Sequence, residues 1–344
     1  MRNTSFSNQA REQQLAWRKR QPSLPKENGT QNGVEYDHIL PDDKWMLGVW
    51  EDIRRDQLQC YLNSSGIQAN TGKHNLKSSW TQCVNIFFPF RVNPAAKRML
   101  ASFLTKELGL KVETVDSIEF EYAAEGKLSP RQLLGEEKGM RGSGQTSPDV
   151  AINFTCENGK CGIYLVENKY TEHHFYGCSA ASKTLSKGHA QRGLPPNPNS
   201  ARCTDIATLL SDVDTNCHQL TWGRQYWRIL KDCRSEAMIK LACCPAMTDG
   251  YQLLRQQALA QGILNAGLFD YVISGVAYDE RNIELLGCLK RTGIDDFRVE
   301  WSNLFTSGVS FHSFSHQALV TWVTRSRVDY VKKWGEYVSD RYGY

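Results

Sequence analysis

Residues 149–170 read DVAINFTCENGKCGIYLVENKY. Val150 and Ile152 in the first half and Ile163 and Leu165 in the second give each half its apolar neighbours, and ENGKCG between them has the polar, Gly-centred chemistry of a turn. The spacing predicts two antiparallel strands joined by a tight turn. Asp149 begins one strand and Glu167 ends the other, so pairing brings both carboxylates to the same end of a sheet. Side chains two apart in a strand project from one face, so Lys169 joins Glu167 while Asn168 points the other way.

Working outward, Pro94 opens a helix, PAAKRMLASFLTKELG, with Met99, Leu100, Phe103, Leu104 and Leu108 on one face and Gly109 as the stop. VDSIEFEY (115–122) alternates as a strand and GEEKGMRGSGQTSP (135–148) as a Gly-rich loop leads to Asp149. Downstream, GYQLLRQQALAQGILNAG (250–267) is a helix, FDYVISGVAY (269–278) a strand and RNIELLGCLKRTG (281–293) helical. The regular pieces run helix, strand, strand, strand, helix, strand.

The flanks differ in character. Residues 1–35 are polar and Pro/Gly-punctuated, which predicts a helical stub and a mobile arm. Between 42 and 63, Trp45, Leu47, Val49, Trp50, Ile53, Leu58, Tyr61 and Leu62 recur at roughly helical spacing, and SSWTQCVNIFFPF (78–90) must be buried. Residues 171–250 hold most of the His and Cys, a PPNPNS turn and a helix-like HQLTWGRQYWRILKDC, and read as an insertion. The resulting division is a flexible arm (1–40), a helical and aromatic extension (41–93), a core (94–170 and 249–325), a Cys/His-rich insertion (171–248) and a C-terminal tail (326–344).

A net charge of +4, from 41 Lys+Arg against 37 Asp+Glu, sets up no global field, so any polyanion must be met by local basic surface. The N-terminus lacks the apolar core of a secretory signal, and no run of about 18 apolar residues suggests a membrane span. Eleven cysteines without an export signal point to a reducing, cytoplasmic setting, hence to free thiols or metal ligands rather than a disulfide framework.

Asp149 and Glu167 could share one octahedral Mg²⁺ ion with a substrate phosphate and waters, the backbone carbonyl of Asn168 adding a ligand. Lys169 beside it would orient the attacking water and stabilise charge on the phosphate. The alternative is that Asp149 caps a strand and Glu167 and Lys169 form a solvated edge pair.

Ser147-Pro148-Asp149 followed by Val166-Glu167-Asn168-Lys169 resembles the paired motif of the PD-(D/E)xK nuclease superfamily. KHNLKSSWTQCVNIFFPF, SPDVAI and CCPAMTDGYQLLRQQALA resemble a bacterial restriction-endonuclease-like group within it. The resemblance spans roughly residues 40–325 and implies an α/β fold: an αβββαβ core with a mixed central sheet, here carrying a helical N-terminal extension and a Cys-rich insertion. It also implies a Mg²⁺-dependent DNA endonuclease, with Mn²⁺ able to substitute, of restriction or defence type. RNA is the alternative substrate, and a homodimer is compatible. Its RecB-like branch places a Gln after the lysine motif, here Gln252 with Gln256, and the fork of Arg255 could reach a phosphate. The same helix could equally be amphipathic and merely structural, and Gln219 or Arg224 are rivals. Glu107 and Glu121 are candidates for an upstream carboxylate.

Cys178, Cys203, Cys217 and Cys244 could hold Zn²⁺ or an iron–sulfur cluster, with His173, His174, His189 or His218 as substitutes, although no CxxC knuckle is present; otherwise they are buried packing residues. Lys183, Lys187, Arg192 and Arg202 in one loop, and Arg131, Lys138 and Arg141 among Gly139, Gly142 and Gly144 in another, either contact phosphates or are simply solvated. Two other functions fit the same sequence: a catalytically silent nucleic-acid-binding protein of this fold, and a metal-organised interaction module.

Overall fold

The structure is a computed structural model describing residues 5–53, 56–231, 235–305 and 308–344. Its main sheet is mixed. Strands β1 (Val112–Phe120), β2 (Val150–Cys156) and β3 (Cys161–Lys169) pair antiparallel in that order, and β4 (Tyr271–Tyr278) lies parallel to β3. Two short strands, β5 (Ser310–Phe311) and β6 (Phe314–Ser315), then pair parallel with β4. Helix α3 (Pro94–Leu108) precedes β1, and helix α4 (Tyr251–Asn265) precedes β4. The expected order from α3 to β4 is therefore present, with the expected cap residues: Pro94 at the first turn and Gly109 at φ +66° as the stop.

Side-chain parity divides the interior into two cores. Val150, Ile152, Phe154, Tyr164, Val166 and Ile273 face one apolar cluster, which also contains α3, helix α2 (Ser79–Val92) and helix α6 (Asp329–Tyr342). Ala151, Ile163, Leu165, Val272 and Val276 face a second cluster with α4 and residues of the 171–250 segment. With both faces covered, β3 is buried from Gly162 to Lys169.

Helix α2 is the aromatic segment 78–90. Ser78 caps it, and Trp80 through Phe90 are all buried, as a helix apolar on every side must be. Pro89 lies within it and has no N–H for the carbonyl of Asn85 one turn earlier. That carbonyl accepts the indole N–H of Trp334 from α6 at 2.9 Å instead. Trp334→Phe should thus cost about 1–3 kcal/mol by stranding a buried carbonyl. Pro89→Ala in the same background should recover part of the loss by restoring the helical N–H. Urea unfolding of the four-member cycle reads this, and strict additivity would refute it.

Several flanking expectations differ from what is found. Helix α1 (Phe6–Arg20) is not part of a mobile arm: Phe6, Ala10 and Trp17 are buried, and Gln14 hydrogen-bonds Tyr170 and the Arg341 carbonyl. Its few apolar residues sit on one face, hidden in a polar composition. The C-terminal tail is α6, whose Trp334 and Val338 complete the first core. The 42–63 pattern forms a 3-10 stretch (Asp42–Gly48) and a helix (Asp56–Ser64), with Gly48 ending the first piece. Gly287 likewise ends the short helix Ile283–Leu286. Residues 218–231 split into His218–Thr221 and Tyr226–Leu230, because Gly223 adopts φ +80° between them; Asp232 and Cys233, at the end of that predicted helix, lie outside the described residues.

Candidate active site

Three carboxylates meet at one end of the sheet. Phe120 pairs with Val150, and Val150 with Val166. One step beyond these pairs stand Glu121, Asp149 and Glu167 on three neighbouring strands. Backbone bonds extend the ladder to this point, Glu121 N donating to the Asp149 carbonyl at 3.0 Å and Tyr122 N to that of Pro148 at 2.9 Å. The three residues share a cleft of about 200 Å³ with Gln145, Thr146, Gln252 and Arg255.

Glu167 is 6% exposed and Lys169 3%. Their charged ends are 3.0 Å apart on the α4 face of β3. Gln252 bridges them, donating to Glu167 Oε1 at 2.7 Å and accepting from Lys169 Nζ at 2.9 Å. Asp149 accepts the amide N–H of Asn168 at 2.7 Å. Burial alone would discharge Lys169, but Glu167, Glu172 and Asp149 outweigh it and raise its pKa above the ordinary range. Burial and then the negative charges of Glu167 and Glu121 push the Asp149 carboxyl well up. Burial and Glu167 likewise raise Glu121 to about 8, against the pull of Trp80, Arg141 and Lys169. A buried, mutually repelling carboxylate set is a site that favours a cation.

Of the two upstream candidates, Glu121 is in the cleft. Glu107 is not, because it pairs with Lys106 and His312 instead. Glu121 is also held at φ +46°, a left-handed conformation that costs a non-glycine residue energy. Arg141 clamps it, donating to the carbonyls of Phe120 and Glu121 and pairing with Glu119. Gly142, at φ +83°, passes so close that an added Cβ would lie 2.9 Å from the Gln68 carbonyl and 3.2 Å from Glu121 Cγ. Arg141 and Gly142 therefore shape the loop around Glu121.

Gln256 also lines the cleft, at its buried base. It is 1% exposed, and its amide donates to the carbonyls of Leu165 and Gly275 and to Ser274 Oγ, tying α4 to the sheet. Arg255 lines the cleft, held by Thr146 at 3.0 Å, and also lines an adjoining pocket of about 240 Å³ with His189, Arg192 and Arg224. The rivals Gln219 and Arg224 bond Tyr251 rather than the carboxylates. Lys183 and Lys187 are exposed, Arg192 pairs with Glu137, and Arg202 bonds the Thr215 carbonyl. Arg131 and Lys138 line a groove beside the loop with Arg141.

Sequence reading missed the support on the opposite face of β3. Asn168 donates to Gln82 and to the Ser79 carbonyl, and accepts from His316 at 2.9 Å. His316 begins helix α5 (His316–Val323) and is fully buried; desolvation lowers its pKa to about 4. A histidine with a depressed folded pKa contributes stability above its ordinary 6.5 that is lost as pH falls through 4. Acidification across that window should cost the wild type about 3 kcal/mol more than His316→Gln. Chemical denaturation at stepped pH tests this, and equal slopes would refute it.

Among the described residues, no three His, Cys, Asp or Glu side chains are grouped to hold a metal ion, and no helix is long and apolar enough to cross a membrane. The class defined by these features is a mixed α/β protein with a carboxylate-lined cleft at the end of its central sheet and Lys169 buried against Glu167. A family described as "Restriction Endonuclease associating with ARP" matches residues 11–343, and the chain belongs to it. No curated protein matches the chain. No solved structure matches it.

Proposed function

We propose that this chain is a Mg²⁺-dependent endonuclease of the PD-(D/E)xK kind that hydrolyses DNA in a restriction or defence setting. The observation that carries the proposal is the convergence of Asp149, Glu167 and Lys169, with Glu121 beside them, at one sheet end. Membership in a restriction endonuclease family supports it, and the family's description adds ARP as a partner protein.

The donor set suits magnesium. This ion takes one or two protein carboxylates and completes its shell with waters and substrate phosphate, so two convergent carboxylates are sufficient. Asp149 and Glu167 would hold it, with the Asn168 carbonyl as a further ligand. When bound, it would supply a polarised water and a counter-charge for the phosphate. The protein's own groups do the rest. Asn168 N–H fixes the Asp149 carboxylate, and Gln252 fixes Glu167 against Lys169. The Lys169 ammonium orients the attacking water, while Arg255 steadies a neighbouring phosphate. Arg131 and Lys138, in a groove that Glu119 and Glu125 also line, would be the cations nearest the loop to meet the backbone of DNA.

The test is incubation with plasmid, linear duplex, single-stranded DNA and RNA, each with Mg²⁺, Mn²⁺ or EDTA. Internal cleavage of duplex DNA is expected with either cation and none with EDTA. Folded protein that binds Mg²⁺ but cuts none of these substrates would overturn the proposal.

A further inference from the structure

The segment between Lys169 and α4 gives the carboxylate cleft a second wall. Its Cys178, Cys203, Cys217 and Cys244 line a small apolar cavity as free thiols, and among the described residues no three metal-binding side chains are grouped. What this segment brings to the cleft is positive charge. His189, Arg192 and Arg224 line the adjoining pocket of about 240 Å³ opposite Gln145 and Arg255, and the last two line the carboxylate cleft as well. The two hollows are neighbours across a shared wall.

Arg224 is positioned by backbone and by neutral groups. Gly223, at φ +80°, turns the chain just before it, and Gln225 N donates to the Leu134 carbonyl at 2.8 Å. Gly135 passes so close that an added Cβ would lie 2.1 Å from the Gly223 carbonyl oxygen. The Arg224 guanidinium donates to Gln219 Oε1 at 3.1 Å and to the Tyr251 hydroxyl at 3.3 Å, and it lies over the Trp222 ring. Among the described residues no carboxylate pairs with it. Arg255, one turn after Tyr251 on α4, lies over the face of the same tyrosine, 5.2 Å from the ring centre. Tyr251 therefore holds both cations in place.

Among the described residues Glu136 is the one carboxylate in the lining. It is 5% exposed and already engaged, by Thr146 N and the Tyr226 hydroxyl at 2.6 Å each and by Arg255 at 3.7 Å. Arg192 pairs with Glu137, but both are exposed, and such a pair contributes little. Three arginines thus face one committed carboxylate, an excess of charge that an anion would balance. Fixed guanidinium forks match the oxygens of a phosphate. We propose that this pocket binds a second phosphate of the DNA strand being cut, the one next to the scissile phosphate, with Arg224 and Arg255 as its principal donors. The proposal rests on the nuclease reading of the cleft. Two phosphates seated on either side of Gln145 and Arg255 would fix the register of the strand across the carboxylates, as backbone contacts do in nucleic-acid complexes.

Anisotropy of a short fluorescent DNA duplex in EDTA reads binding without cleavage. Arg224→Gln should weaken binding about tenfold and lower the slope of log K against log salt by about one. Arg224→Lys, which keeps the charge, should keep the slope, and Arg192→Gln should shift affinity and slope in the same direction as Arg224→Gln. Arg228→Gln removes an exposed arginine of the same segment outside the pocket and should stay within about twofold of wild type. Wild-type affinity and slope in folded Arg224→Gln, or in Arg192→Gln should the first variant not fold, would overturn the pocket alone. A folded wild type that binds no duplex would overturn the nuclease reading with it. Stabilisation of the wild type, but not of Arg224→Gln, by micromolar AMP or inorganic phosphate would assign the pocket to a free ligand and likewise overturn the proposal.

Discussion

Asp149→Asn should abolish Mg²⁺-dependent DNA cleavage, a loss on the order of 10³-fold or more, while leaving the protein at least as stable as the wild type near neutral pH. The two effects have one cause. The Asp149 carboxyl is pushed up by burial and by Glu167 and Glu121. A carboxyl raised above its unfolded value favours folding below that value and weakens it as pH rises through the folded one. Asparagine removes the repelling charge yet keeps an acceptor for the Asn168 N–H. The stability gain should therefore be larger at pH 8 than at pH 4, read by thermal melts at both. Wild-type cleavage by the variant would end the assignment of Asp149, and a strongly destabilised variant would end the electrostatic account.

Lys169→Met should also eliminate cleavage, but with the opposite effect on folding. Lys169 is the cation that compensates Glu167 and Asp149, and its removal leaves buried carboxylates facing one another. Breaking one half of a buried pair costs about 3–5 kcal/mol. Because the carboxylates that would hold Mg²⁺ remain, the ion should restore more stability to this variant than to the wild type. Denaturation with and without Mg²⁺ measures the difference. Cleavage within about tenfold of wild type would show that Lys169 does not orient the attacking water, and the lack of an extra Mg²⁺ response would show that it does not balance the carboxylates.

What was legible in the sequence was whatever depends on short-range pattern. The 149–170 hairpin, the caps of α3 and the alternation that puts Lys169 with Glu167 and turns Asn168 away follow from period and spacing, and the structure has them. Gln252 reaches its place through a resemblance rather than through any local pattern. Contacts that depend on distant parts of the chain could not be read: Trp334 serving the Asn85 carbonyl, His316 anchoring Asn168, and α1 docking on α6. Glu121 was one of two equal candidates, because both end a regular element and only the ladder decides which faces the cleft. That Gln256 also ties α4 to the sheet could not be read, because a polar residue on a helix gives no sign that strand carbonyls will take up its amide.

The pairing pattern also fixes an order of assembly. Asp149, Glu167 and Lys169 sit on a hairpin closed by a four-residue turn, which can form within microseconds and needs little chain entropy. β4 joins that hairpin only when Tyr271 finds Gly162, more than a hundred residues earlier in the chain. That closure is entropically dearer and slower. Gln252, which locks Glu167 to Lys169, lies within this gap, 83 residues after Lys169. During synthesis the acidic pair can thus emerge and fold well before its clamp exists, so the potential for hydrolysis matures last, after the thiol-bearing segment has left the ribosome.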